Sequence, residues 1–105
     1  MTRAILVNKD NSYVSYGHQR PEDNFETQPH ATIKALIKAK REEVVGGTLF
    51  LWRYPCYECV KAIVYAGITK VVYKNEDNMD PTHQEAKALL EQSGVEIVRN
   101  EDLDF

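Results

Sequence analysis

The chain has 105 residues, of which 43% are hydrophobic and 28% are charged, and its formal net charge is −3. This composition is ordinary for a soluble globular protein and suffices for one domain, residues 1–105, with a single core. The acidic balance argues against an extended nucleic-acid interface, and the apolar runs are too short to span a bilayer. We therefore expect a cytoplasmic protein without a membrane partner.

The chain begins with a predicted β-hairpin and a polar loop. Residues 3–8 form an apolar run that is typical of a mostly buried strand, and residues 12–16 alternate polar and apolar side chains. Turn-forming residues at 9–11 join the two strands. The polar residues 17–29 are predicted to form a loop, of a length that is often functional in compact domains.

Helices and strands alternate along the rest of the chain. The helices show helical spacing of apolar residues and a glycine beyond the last turn, and they are predicted at residues 30–43, 56–66 and 81–93. The strands are short apolar runs, predicted at residues 48–52, 70–74 and 95–98. Such alternation favours parallel strand pairing after the hairpin. The predicted fold is therefore α/β, in the order β-β-α-β-α-β-α-β, as a complete or incomplete three-layer sandwich.

Three residues with soft ligand atoms stand at predicted helix starts. His30 opens the first helix, and Cys56 and Cys59 lie in the first turn of the second. One imidazole and two thiolates can hold zinc on three sides and leave the fourth position open, which is the pattern of a catalytic site. Helix N-termini also favour the thiolate form of cysteine. His18 could supply a fourth ligand and would then close the site.

The Cys-x-x-Cys pair has a second interpretation as a thioredoxin-like redox pair. That interpretation leaves His30 without a role, and Pro55 precedes the pair, whereas redox motifs commonly carry residues such as Gly-Pro between the cysteines. The combined spacing matches instead the zinc-deaminase layout, in which His-x-Glu is followed by Pro-Cys-x-x-Cys. In this chain, Thr32 occupies the position of that Glu.

On these motifs the chain resembles the cytidine and deoxycytidylate deaminase family, most closely the deoxycytidylate branch. Residues 30–36, His-Ala-Thr-Ile-Lys-Ala-Leu, are similar to that branch's His-Ala-Glu-x-Asn-Ala-hydrophobic segment. Residues 55–61, Pro-Cys-Tyr-Glu-Cys-Val-Lys, resemble its Pro-Cys-x-x-Cys-Ala-Lys, and residues 66–73 resemble its Ala-Gly-Ile-x-x-Val-Val-Tyr. The resemblance spans residues 3–98. It implies the family's cytidine-deaminase-like three-layer sandwich, here without the usual helix before the first strand.

The resemblance also implies ligands, partners and site residues. It implies that His30, Cys56 and Cys59 bind Zn²⁺. Gln19 stands where the family has an Asn that contacts the nucleoside sugar, and Lys34 replaces a second family Asn. Family members are typically oligomers that act on pyrimidine nucleotides, so a pyrimidine nucleotide and further copies of the same chain are the expected partners.

Two hypotheses follow from Thr32. In the family, the Glu moves the protons while a zinc-activated water attacks C4 of cytosine. A hydroxyl does not exchange protons near pH 7, and loss of a general acid/base typically costs about 10²–10⁴-fold in rate. The first hypothesis is a hydrolase that deaminates a cytosine nucleotide weakly, with Glu26 of the polar loop as a substitute carboxylate. The second is a catalytically inactive module that binds a nucleotide or a protein partner, as a regulator or a sequestering protein.

Overall fold

The computed structural model describes residues 2–19, 30–75 and 82–103. The strands in these ranges are β1 (Thr2–Val7), β2 (Tyr13–Gln19), β3 (Thr48–Arg53), β4 (Lys70–Asn75) and β5 (Glu96–Arg99). The helices are α1 (Ala31–Ile37), α2 (Arg41–Val44), α3 (Tyr57–Ala66) and α4 (His83–Gln92). The predicted succession of strands and helices is confirmed, with two differences, at the first predicted helix and at β2.

The five strands form one mixed sheet in the order β2-β1-β3-β4-β5. β1 is antiparallel to both of its neighbours, and β3, β4 and β5 are parallel. It follows that β2, β3 and β4 run in the same direction and that their carboxyl ends lie at one edge of the sheet. Each of these three strands leads to the N-terminus of a helix, α1, α3 or α4. Ligands of open α/β sheets bind in the crevice beyond this edge.

The helix predicted over residues 30–43 is two helices, α1 and α2. The backbone of Lys40 is extended, with φ −77° and ψ 150°, so the first helix cannot continue through it. The carboxylate of Glu43 accepts a hydrogen bond from the Lys40 amide at 3.0 Å, which caps a new helix start. This local hydrogen bond competes with helix continuation, which apolar periodicity does not reveal. The turn places Val44 in the core.

β2 continues to Gln19, three residues beyond its predicted end. A side chain at Gly17 would overlap with the carbonyl oxygen of Ala31, so α1 packs directly on the backbone of the strand. The hydroxyl of Ser15 donates to the carbonyl oxygen of Ala35 at 2.6 Å. These two contacts fix the start of α1 relative to the end of β2, where the expected site residues lie.

The core lies on one face of the sheet. Buried side chains from alternate positions of β1, β3 and β4 pack against α1, α3 and α4. These residues are Ala4, Leu6, Leu49, Leu51, Val71 and Tyr73 from the strands and Ala35, Val60, Ile63, Ala86 and Leu90 from the helices. The described residues therefore form the sheet and one layer of helices, which are two of the three layers that the resemblance predicts.

The opposite face of the sheet, here called the open face, carries a continuous apolar row. Strand register aligns one residue from each strand across it, in the order Tyr16, Ile5, Phe50, Val72 and Val98. None of these five residues belongs to the core cluster, because the pleat directs their side chains away from the helices. A single large apolar row thus runs across all five strands.

Candidate metal centre and ligand crevice

The expected ligands lie at the starts of two neighbouring helices. His30 is the N-cap residue of α1 and Cys56 is the N-cap residue of α3, each with an extended backbone. Cys59 lies in the first turn of α3 and is buried. Free amide groups and the positive end of the helix dipole at such N-termini stabilise thiolates.

The three side chains converge on one point. The distance from His30 Nδ1 is 3.1 Å to Cys59 Sγ and 3.3 Å to Cys56 Sγ, and the two sulfur atoms are 3.4 Å apart. Tetrahedral zinc, with bonds of about 2.0 Å to nitrogen and 2.3 Å to sulfur, would separate such ligand atoms by roughly 3.6–3.8 Å. Small side-chain shifts therefore suffice to seat the ion. Within residues 2–19, 30–75 and 82–103, the group that could hold a metal contains these three residues and no carboxylate.

The two sulfur atoms have opposite pKa shifts. A hydrogen bond from Cys59, helped by a second one with His30, outweighs burial and lowers the pKa of Cys56 to about 4. The same shared hydrogen bond and burial raise the pKa of Cys59. At neutral pH Cys56 is thus a thiolate that accepts a hydrogen bond from the Cys59 thiol. A metal ion that displaces this proton would take two thiolates as ligands.

Thr32 lies against the ligand group. Its side chain is buried, with 6% exposed, and its hydroxyl donates a hydrogen bond to Cys59 that lowers the pKa of that thiol. It therefore reaches the site from the position where the motif carries Glu, but it brings a hydroxyl instead of a carboxylate. Glu26, the predicted substitute, lies outside the described residues.

Gln19 and His18 end β2 on opposite sides of the sheet. Gln19 is 1% exposed on the helix side, and its Nε2 is buried with no hydrogen-bond partner in the described part of the chain. His18 stacks on Tyr16 on the open face, with ring centroids 6.2 Å apart, and is not in the metal group of the described residues. Lys34 donates to the carbonyl oxygen of His18 at 2.9 Å, so its ammonium group caps the outer edge of β2.

Arg53, the last residue of β3, was not identified as a site residue from the sequence. Its Nε is also buried, with no hydrogen-bond partner among residues 2–19, 30–75 and 82–103. The available signal was that β2, β3 and β4 each end in a polar residue, namely Gln19, Arg53 and Asn75. This signal requires knowledge of the strand ends and register, because the sequence predicts the strand over residues 48–52 and leaves Arg53 outside it.

Comparisons with known proteins relate this chain to deoxycytidylate deaminases. Residues 3–75 match the family model of the cytidine and deoxycytidylate deaminase zinc-binding region. The probable deoxycytidylate deaminase of Drosophila melanogaster is 33% identical over 72 residues, which are 68% of this chain and 36% of that protein. The deoxycytidylate deaminase of Mycobacterium phage D29 is 45% identical over 47 residues, 45% of this chain and 37% of that protein. The chain thus spans little more than a third of these relatives' length.

Solved structures confirm the predicted cytidine-deaminase-like α/β fold. The dCMP deaminase of cyanophage S-TIM5 is 30% identical with a TM-score of 0.71, and the match covers 94% of this chain and 79% of that one. RibD of Acinetobacter baumannii is 25% identical with a TM-score of 0.78, over 96% of this chain and 29% of that one. The described helices are too short or too polar to cross a membrane.

The family model and the geometry agree on the cofactor. The matched region is zinc-binding, and it contains one nitrogen and two sulfur donors arranged for a metal of that kind. Zn²⁺ is therefore the cofactor. The redox interpretation assigned no role to His30, whereas the group that could hold a metal contains it. From the matched residues 3–75, the fold and the zinc site, we conclude that this chain belongs to the cytidine and deoxycytidylate deaminase family.

Proposed function

We propose that residues 1–105 form a single zinc-dependent deaminase-type domain that binds a cytosine nucleotide and deaminates it weakly or not at all. His30, Cys56 and Cys59 are the proposed zinc ligands. The observation that carries the proposal is Thr32, which lies against Cys59 where the family motif has its proton-carrying Glu. The protein thus combines a complete ligand group with an incomplete acid/base group.

The proton transfers of the reaction explain the expected weakness. Bound zinc supplies Lewis-acid chemistry that lowers the pKa of a water molecule towards neutrality. Hydrolysis joins the water oxygen to C4 of the base and breaks the C4–N bond, while protons pass from the water to the ring and to the departing ammonia. The hydroxyl of Thr32 can orient a hydrogen-bonded partner, but it cannot carry these protons near pH 7.

Residual turnover would require a carboxylate from another part of the chain. Glu26 is our candidate, four residues before His30 in the chain. A catalytic group must be held close to the reacting atoms to be effective, so a loop carboxylate would give slower turnover than one fixed in the first turn of α1. The variant Glu26→Gln tests this role, because it would abolish the residual ammonia release and leave nucleotide binding unchanged.

The second candidate function is a catalytically inactive module that binds a nucleotide, or a protein partner, as a regulator or a sequestering protein. The hydrogen bond from Thr32 to Cys59 favours it, because this hydroxyl is engaged with a metal ligand. The buried amide of Gln19 has a donor for a ligand acceptor and does not distinguish the two functions. We propose Gln19 as a substrate-binding residue in both functions.

One experiment distinguishes these functions. Purified protein with one zinc per chain is incubated with deoxycytidine monophosphate, and ammonia release is measured beside binding by calorimetry. Slow release supports the weak enzyme, and binding without release supports the module. The absence of both binding and release would contradict the proposal for this ligand. Release at a rate typical of enzymes would refute the role assigned to Thr32. Zinc-free protein is the control.

We further propose that the protein is a homo-oligomer whose subunits meet through the open face. Val98 at one end of the apolar row is 37% exposed, Val72 is buried at 7%, and the other three residues are half-buried; exposed apolar surface at a sheet face is typical of an interaction surface. Val98→Lys should therefore dissociate the oligomer. Ile37→Lys is the matched control, because Ile37 is 71% exposed but belongs to α1 on the other side of the sheet. A mass of 12.1 kDa for the unmodified chain in light scattering would contradict the proposal.

We also propose a cytoplasmic location. The two cysteines are free in the structure, and zinc binding requires that they stay reduced, as the cytosol keeps them. Cell fractionation that recovered the protein with membranes or outside the cell would contradict this location.

A further inference from the structure

Two buried N–H donors without acceptors lie at the same edge of the sheet. They are Nε2 of Gln19 and Nε of Arg53, and neither has a hydrogen-bond partner among the residues that the structure describes. A buried donor without a partner loses its hydration without compensation, so such donors are rare in folded proteins and call for an explanation. Two of them at one end of the sheet indicate that a ligand supplies the acceptors.

Strand register places both donors on the side of the crevice. Gln19 is paired with Thr2 of β1, and Arg53 is paired with Asn75 of β4. Ala4 is paired with Leu51 in the antiparallel pair of β1 and β3. Two residues back in β1 and two residues forward in β3, Thr2 therefore lies opposite Arg53. Gln19 and Arg53 are therefore in one row, two strand spacings or about 10 Å apart.

The pleat decides which face carries this row. Leu49 and Leu51 point into the core, and Arg53 follows them at the same period of two residues. In β2, Ser15 and Gly17 are buried against α1, and Gln19 follows them at the same period of two residues. Both donors therefore lie on the helix side, beyond the carboxyl ends of β2 and β3, where α3 begins with the ligand Cys56.

The chemistry of arginine identifies the group that fits. A guanidinium presents Nε–H and Nη–H in a fixed fork that matches the oxygen atoms of phosphate or carboxylate. We propose that Arg53 recognises an oxyanion in this crevice, with Gln19 donating to the same ligand. Under the proposed function, on which this assignment rests, the oxyanion is the phosphate of the nucleotide, and free inorganic phosphate is the other source of the same chemistry.

The test compares three probes on zinc-loaded protein by calorimetry: deoxycytidine monophosphate, deoxycytidine and inorganic phosphate. The unmodified protein should bind the nucleotide at least about tenfold more tightly than the nucleoside, which is the contribution typical of a charge-assisted hydrogen bond. Arg53→Gln should reduce this preference to about twofold or less and leave binding of the nucleoside unchanged. Arg53→Lys keeps the charge without the fork and should retain part of the preference.

Arg41→Gln is the matched control. It makes the same change of charge and side chain at an exposed residue of α2, which precedes the amino end of β3 at the opposite edge of the sheet. The preference for the nucleotide should be unaffected in this variant. Thermal unfolding of each variant shows whether the fold is intact, and Arg53→Lys carries the test if Arg53→Gln does not fold.

The outcomes separate this inference from the proposed function. Equal binding of nucleotide and nucleoside by the unmodified protein would overturn the inference, and so would an equal loss of both in Arg53→Gln, which indicates a structural role. A third outcome is that phosphate binds in a way that depends on Arg53, that the nucleoside does not bind, and that the nucleotide binds no more tightly than phosphate. This outcome would support the oxyanion site and contradict the proposal that the ligand is a cytosine nucleotide.

Discussion

Thr32→Glu tests the functional assignment most directly. Residue 32 lies in the first turn of α1, two residues beyond His30, and its side chain already contacts Cys59. The substitution should therefore place a carboxylate next to the metal group. The N-terminal end of a helix also stabilises a negative charge, which favours the proton-accepting form.

The expected gain follows from the single missing role. A positioned general acid/base contributes about 10²–10⁴-fold in rate, or roughly 3–5 kcal/mol in activation free energy. The substitution also has a cost. It removes the hydrogen bond from Thr32 to Cys59. It also inserts a larger side chain at a position that is 6% exposed, and such an insertion typically costs about 1–3 kcal/mol of stability. This cost lowers mainly the free energy of unfolding and not the rate of the reaction. We expect kcat for deoxycytidine monophosphate to rise by at least about 10².

The assay is steady-state ammonia release, with zinc content measured for each variant. Thr32→Gln is the matched control, because it has nearly the size of Glu but cannot carry a proton, and it should leave turnover at the level of the unmodified protein. Turnover of Thr32→Glu equal to that of the unmodified protein would refute the reasoning. Glu26→Gln would then show whether Glu26 is the proton carrier.

Further predictions concern the metal, the thiols and the packing of α1. Elemental analysis should find one zinc per chain, and Cys59→Ser should reduce this to well below one, since it removes one of three ligands. In reduced zinc-free protein, iodoacetamide should modify Cys56 much faster than Cys59. Because the lowered pKa keeps Cys56 a thiolate, its rate should stay level from pH 8 to pH 6 and fall only towards pH 4, and a fall already below pH 8 would contradict this. Gly17→Ala should lower the free energy of unfolding by at least about 2 kcal/mol in urea, because the new methyl group overlaps with backbone of α1. Gly94→Ala, where no atom of the described residues lies within 4 Å of the new methyl group but φ is +72°, should cost about 1 kcal/mol.

Much of the fold was predictable because its signals are local. Apolar periodicity and helix-ending glycines located the strands and helices to within a few residues. The division of residues 30–43 was missed, because the hydrogen bond that Glu43 accepts from the amide of Lys40 competes with helix continuation, and apolar periodicity does not reveal it. The extension of β2 was missed because Gly17 indicates a turn by its chemistry. In the fold it is required by the close approach of α1.

The expected metal ligands, the family and the substitution at residue 32 follow from the amino-acid sequence alone. Their signal is spacing: His30 and Cys56 each stand at a helix start, and that relation holds without knowledge of the packing. The crevice could not be predicted in this way. It depends on strand register and on the side of the pleat, which place Arg53 in one row with Gln19 and send His18 to the open face. Register and pleat arise from pairing between residues far apart in the chain, so only the assembled sheet decides them.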